Sequence, residues 1–167
     1  MTGASGVGKT TLLGDLETSY PDTAQAYYHF DDIGVPSSEE METEYGSIEA
    51  WQKMKTERWV ERLLQEESDQ RVIIEGQSNL NFIREAFAKY DFNNYQIILI
   101  DCNEDEMVRR LLEDRKQSEL VNPDMKNWLR YLRNQATELG VPIIDTGLLS
   151  REASLEQLRK VCLVALV

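Results

Sequence analysis

The stretch Gly3-Ala4-Ser5-Gly6-Val7-Gly8-Lys9-Thr10-Thr11 decides how the rest of the chain is read. Its spacing, G-x-x-x-x-G-K-[ST], is that of a loop that wraps phosphate. Gly3, Gly6 and Gly8 permit backbone angles and close approaches that a Cβ would block. Successive N–H groups then turn inward on an anion. Lys9 is placed to reach β- and γ-phosphates, and Thr10 offers a hydroxyl to Mg²⁺. The candidate nucleotide-binding set is Gly3, Ser5, Gly6, Val7, Gly8, Lys9, Thr10 and Thr11. The following Thr11-Leu12-Leu13-Gly14-Asp15-Leu16 reads as a helix whose positive end faces the phosphates.

Upstream of the loop little remains. The buried strand that normally precedes it is reduced to Met1-Thr2. Such a strand sits mid-sheet, and its loss would bare two neighbouring edges. Either the first strand is a truncated stub or the chain begins upstream of Met1, and the cost of two bared edges favours the second.

Downstream, apolar runs alternate with helical stripes. The first helix ends near Tyr20-Pro21, because proline disfavours helix in the residue before it. Ala24 to Phe30 reads as a strand running into Asp31-Asp32-Ile33-Gly34-Val35-Pro36, and Ser37 to Tyr45 as an acidic surface loop. Ser47 caps a helix from Ile48 to about Gln65, with Trp51 and Trp59 in the core and Arg58 a candidate substrate contact. Arg71 to Gly76 is a strand ending at Glu75-Gly76. Phe82, Ile83, Ala86, Phe87 and Tyr90 form a helical core stripe. Tyr95 to Asp101 is a continuous apolar run suited to a parallel sheet buried on both faces. Asn103 and Glu106 read as a capping box. Asn122-Pro123 starts a helix that ends at Gly140. Val141 to Asp145 is the last strand, and Ser154 with Gln157 caps the last helix. The fold class expected is α/β: a three-layer P-loop NTPase fold, a parallel sheet with helices on both faces, in one domain over residues 1–167.

Composition narrows the function. A formal charge of −12 argues against extended nucleic acid as a partner. Cys102 and Cys162 lack metal-ligand spacing and read as buried thiols of a reducing compartment. The single His29 excludes a multi-histidine metal site. With no signal peptide or membrane span visible, a cytoplasmic protein with no membrane partner is expected.

Taken together, the phosphate loop, the acidic end of the second strand at Asp31-Asp32, Glu75-Gly76, the Arg110…Arg115 spacing and Asp145-Thr146-Gly147 resemble a small P-loop kinase. The group is that of nucleoside-monophosphate kinases and the shikimate, gluconate and chloramphenicol phosphotransferases. The resemblance implies ATP and Mg²⁺ as cofactors and a small-molecule phosphoryl acceptor. It implies that Lys9 acts on the transferring phosphoryl group, that Asp31 or Asp32 orients the acceptor hydroxyl, and that Glu75 joins Thr10 near the metal. A lid at about 110–125 would bring Arg110 and Arg115 onto the phosphates. Arg109 could substitute, and Arg130 and Arg133 could reach the same place. Thr146 to Leu149 resembles the adenine-contacting loop. The stretch Glu75-Gly76-Gln77-Ser78-Asn79 departs from the Asp-Gly-Phe-Pro-Arg of nucleoside-monophosphate kinases and has no glycine triplet, which leaves the acceptor unnamed.

Two functions fit these residues. One is Mg²⁺-dependent transfer of the ATP γ-phosphoryl to a small molecule. The other is an ATP-driven regulatory ATPase or nucleotide-binding switch that acts through a protein partner docked on the acidic 37–45 segment. No Asn-Lys-x-Asp motif for reading guanine is present. The arginine cluster and the acid-tipped second strand favour the kinase. The two readings differ in whether a pocket is needed between Asp31 and the phosphate loop.

Overall fold

The computed structural model describes residues 1–19, 25–65 and 71–164. Its elements are α1 (Lys9–Ser19), β1 (Gln25–His29), α2 (Ser38–Tyr45), α3 (Ile48–Gln65), β2 (Arg71–Glu75), α4 (Leu80–Lys89), β3 (Leu99–Asp101), α5 (Glu104–Arg109), α6 (Pro123–Leu139), β4 (Ile143–Asp145) and α7 (Arg151–Val164). β1 pairs in parallel with β2, and β3 in parallel with β4.

Met1 and Thr2 join the two pairs. Thr2 forms parallel bridges to Gly76 on one side and Leu99 on the other. Its N–H donates to Ile98 O at 2.9 Å and its carbonyl accepts from Ile100 N at 2.8 Å, while Met1 O accepts from Gly76 N at 3.1 Å. The spatial order is therefore β1, β2, Met1-Thr2, β3, β4, with the phosphate loop leaving from the middle.

The run 97–100 shows why both faces are covered. Successive side chains on extended chain point to opposite faces. Ile98 and Ile100 enter a cluster with Leu12, Leu13 and Leu16 of α1 and Leu158 of α7. Ile97 and Leu99 enter a second cluster with Leu80 of α4 and Leu132 and Ala136 of α6. One apolar run thus makes the two cores of a three-layer α/β fold.

Several helix ends form as their sequences dictate. Ser47 Oγ accepts from Ala50 N at 3.0 Å at the start of α3. Asn122 accepts from Met125 N at 2.9 Å, Pro123 opens α6, and Gly140 closes it in the left-handed region at φ 64°.

The structure also corrects the sequence reading. Ser37–Tyr45 is not a loop: Ser38–Tyr45 is α2, with a complete capping box between Ser37 and Glu40. Acidic residues favour the first turn of a helix, where the dipole is positive. Buried Met41 anchors the helix. Asn103 caps Glu106 N at 2.8 Å, but the box is not closed, because the Glu106 carboxylate is taken by Arg109 and Arg110. Ser150, not Ser154, caps α7, through Ala153 N at 3.2 Å; Ser154 is buried inside the helix. Strand pairing in the fourth run is limited to Leu99–Asp101, and Tyr95 instead stacks on Phe87 at 4.1 Å. Tyr90, at the end of the α4 stripe, is exposed. Tyr20, Pro21 and Ala24, named above for the first helix end and second strand, lie outside the described residues. Among the described residues, no helix is long and apolar enough to cross a membrane.

Candidate active site

Parallel strands present their C-terminal ends on one edge, and α/β folds place their sites there. Here that edge carries His29 at the end of β1 and Asp31 just beyond it, Glu75 at the end of β2, and the phosphate loop after Thr2. The loop is shaped by its glycines. A Cβ on Gly3 would lie 2.2 Å from Ile100 O, so only glycine lets the loop leave the sheet here. Gly6 has φ 82°, and a Cβ there would press on Leu111 at 3.0 Å.

Lys9 is buried, and its ammonium donates to Ala4 O at 2.9 Å. Burial pushes its pKa down to about 8, Glu75 opposes the shift, Arg115 adds to it, and Asp31 again opposes it. Glu75, Arg115 and Asp31, all named from sequence, are thus each within electrostatic reach of Lys9. Thr10 Oγ1 donates to Glu75 Oε1 at 3.1 Å, and that oxygen also meets His29 Nδ1 at 2.7 Å. The hydrogen bond to Glu75 holds the His29 imidazole above its ordinary pKa. Thr10 and Glu75 supply hard oxygen donors, the kind that suits Mg²⁺ completed by phosphate and water. Among the described residues no group of three or more His, Cys, Asp or Glu could cage a metal by itself.

His29 was not picked out as a site residue from sequence. The signal was present in the strand ends: β1 and β2 pair in register with His29 opposite Glu75. Gln77 also reaches the phosphate loop: its Oε1 accepts from Ser5 Oγ at 3.3 Å.

The two aspartates separate. Asp32 turns back to accept from His29 N at 3.0 Å, capping the short turn Phe30–Ile33. Asp31 projects outward, its side chain 77% exposed, with Lys55 Nζ at 3.6 Å.

The arginines separate as well. Arg110 donates to Glu106 Oε1 at 2.7 Å, to Thr146 Oγ1 at 2.8 Å and to Thr146 O at 2.8 Å. Thr146 Oγ1 in turn donates to Val7 O at 2.8 Å, so Arg110 braces the loop after β4 against the phosphate loop. Arg109 pairs with Glu106, Glu113 and Asp114 on its own segment. Arg130 pairs with Glu104, and Arg133 with buried Asp101, so each already has an acidic partner. Arg115 makes no side-chain hydrogen bond or ion pair among the described residues, and its charge is felt at Lys9. It follows a π-helical turn, Arg110–Asp114, closed by Arg115 N to Arg110 O at 3.0 Å. Such wide turns recur at functional sites.

A cleft of about 330 Å³ lies beside Lys55, and neither Asp31 nor any phosphate-loop residue lines it, so the pocket that would separate the two readings is not this one. Gly34, Val35 and Pro36 form one wall, Glu40 and Tyr45 of α2 a second, and Trp51, Met54, Lys55 and Arg58 of α3 the third. Arg58 is exposed and has no side-chain hydrogen bond or ion pair among the described residues.

No curated protein matches the chain. Among solved structures, it is similar to the shikimate kinase of Acinetobacter baumannii in complex with shikimate. The TM-score is 0.57 at 14% identity, covering 99% of this chain and 92% of that one. It is similar also to the shikimate kinase of Bacteroides thetaiotaomicron, with a TM-score of 0.56, 17% identity, and coverage of 96% and 94%. At such identities the likeness speaks for the fold, which is that of the small P-loop kinases. Residues 1–138 match the family described as AAA domain (AAA_18), and the chain belongs to that family.

Proposed function

We propose that this chain is a Mg²⁺-dependent kinase that moves the γ-phosphoryl group of ATP to a hydroxyl of a small-molecule acceptor. The observation that carries the reading is the gathering of Thr10, Glu75, Lys9 and Asp31 at one sheet edge around a phosphate loop. Phosphoryl transfer needs little covalent help from the protein; positioning and charge stabilisation dominate.

The roles follow from the contacts. Backbone N–H groups of residues 3–11 hold the phosphates. Lys9 leaves Ala4 O and turns to the β- and γ-oxygens. Thr10 and Glu75 hold the metal, which supplies charge neutralisation when bound. Arg115 closes on the transferring group from a lid at about 110–125, while Arg110 serves as its root. Asp31, the exposed member of its pair, orients the acceptor hydroxyl and takes its proton. Exposed Leu148, in the turn fixed by Asp145 Oδ1 on Gly147 N and Leu148 N, gives adenine an apolar surface. The acceptor enters the cleft beside Asp31. Shikimate, the ligand of a structural neighbour, is one candidate for it.

The form of the acidic segment, not the cleft, weighs against a switch. The acidic 37–45 segment is a helix whose Glu40 and Tyr45 line that cleft, rather than a free docking loop. The test is a thermal-shift screen with Mg²⁺ and a non-hydrolysable ATP analogue, adding shikimate, sugars, nucleosides and aminoglycosides in turn. A kinase shows a nucleotide shift and a further shift with one acceptor class. No nucleotide shift at millimolar analogue defeats the proposal.

A further inference from the structure

Lys55 is a lysine where lysines are rarely found. It is 2% exposed, on the inner face of α3. A buried ammonium is costly unless it is paired and hydrogen-bonded. Its compensation comes from two places. Gly34 O accepts from Nζ at 2.7 Å, and Asp31 Oδ1 lies at 3.6 Å. The rings of Phe30 and Trp51 each stand 4.7 Å from Nζ, within cation–π range. Phe30, Asp31 and Gly34 all belong to the loop after β1; only Trp51 lies on α3 itself. One side chain therefore fastens the loop that carries the acceptor-side carboxylate onto the helix that walls the cleft.

We propose that Lys55 is the positioning residue of the acceptor side, fixing residues 30–34 on α3 and holding the Asp31 carboxylate beside the cleft. This rests on the kinase reading for its purpose, since Asp31 is the group assigned there to the acceptor hydroxyl. The chemistry requires a cation. Asp31 is exposed and, among the described residues, has no other ion pair or side-chain hydrogen bond to set its direction. A neutral residue of the same length would fill the space between the two rings yet leave Gly34 O and Asp31 unheld. Burial pushes the Lys55 pKa down and the Asp31 charge opposes the shift, so the two groups sense each other in the folded protein.

The test needs neither nucleotide nor acceptor. Nuclear magnetic resonance follows the Lys55 ammonium nitrogen, with exposed Lys53 and Lys89 as references. In Asp31→Asn the Lys55 resonance moves and the references stay. In Lys55→Met the Asp31 carboxyl carbon moves while that of Asp32 stays. Amide exchange at Asp31–Gly34 in Lys55→Met quickens by about tenfold or more, whereas Ser5–Thr11 stays within about twofold. A Lys55 resonance indifferent to Asp31→Asn overturns the proposal, and so does unchanged exchange in the loop. Asp31 is a surface residue, so its variant folds and decides the matter even where Lys55→Met does not. Turnover then separates the two readings. Asp31→Asn at the parent transfer rate, with the resonances moving as stated, removes the catalytic role of Asp31 and leaves the clamp standing.

Discussion

The proposed phosphate side and the proposed acceptor side of the site are built from different materials. On the phosphate side the work falls to backbone, in a loop shaped by glycines, wedged against the sheet and packed into one core through Ala4 and Val7, with Lys9 and Glu75 buried. On the acceptor side it is done by side chains: Asp31 and Arg58 stand exposed, and one buried lysine ties loop to helix. A backbone cradle serves any triphosphate. A side-chain cleft can change its occupant by point substitution without disturbing the cradle. On the kinase reading the comparison makes nucleotide use and acceptor choice separable, and substitutions should divide along the same line.

The largest effect belongs to the phosphate side. Lys9→Ala should lower turnover by about 10³-fold and weaken Mg·ATP, since a preorganised cation facing developing charge is among the strongest contributions an active site makes. Calorimetric titration and steady-state rates check it. Unchanged affinity and rate would erase the distinction between the two sides.

Next in size is Asp31→Asn, expected to slow transfer by roughly 10²-fold while Mg·ATP affinity stays within a few-fold. Asp32→Asn should leave transfer almost alone and cost about 1 kcal/mol of stability, through the weakened cap on His29 N. If both variants lose nucleotide affinity, the acceptor side is part of the metal site and the comparison fails.

Gly3→Ala probes the wedge itself. A Cβ 2.2 Å from Ile100 O forces loop and sheet apart, for a loss of about 1–3 kcal/mol in denaturant melts. Nucleotide affinity should fall with it, and acceptor-side amides should keep their exchange rates.

The smallest effect is electrostatic. Hydrogen bonds from Arg109 and Arg110 hold Glu106 at a pKa of about 2. A depressed carboxylate adds stability that is present above its unfolded value of about 4.3 and is lost as pH falls through the folded value. Between pH 5 and pH 2, Glu106→Gln should therefore lose less stability than the parent. The difference should be about 1 kcal/mol or less, because the group is partly exposed. Thermal melts across that range check it. An equal loss in both proteins would mean that Glu106 does not brace Arg110.

The same division explains what the sequence revealed. The phosphate loop was legible because its chemistry is local: nine consecutive residues carry the glycines, the lysine and the hydroxyl. The sheet was legible from apolar runs such as 97–100, whose alternation serves two cores at once. Glu75 could be placed because parallel strands end together. The acceptor side was not legible in the same way. Asp31 and Asp32 look alike in sequence, and only the return of Asp32 to His29 N tells them apart. Lys55 reads as a charge on an amphipathic helix until Gly34 O, twenty-one positions away, is seen to accept a hydrogen bond from it. Arg133 reads as a phosphate ligand until buried Asp101 is found beside it. The 37–45 segment misled because acidity suggests a solvated loop, while Ser37 and Glu40 close a cap that only a helix can use.

The central claim is that the two sides meet in one transfer reaction. Phosphorus nuclear magnetic resonance of the protein with Mg·ATP and each acceptor of the screen tests it most directly. The account predicts a new phosphomonoester resonance matched by ADP, with one acceptor class, greatly reduced in Asp31→Asn although that variant still binds nucleotide. ATP bound and hydrolysed to inorganic phosphate, with no phosphomonoester from any acceptor and equal rates in both proteins, would contradict it.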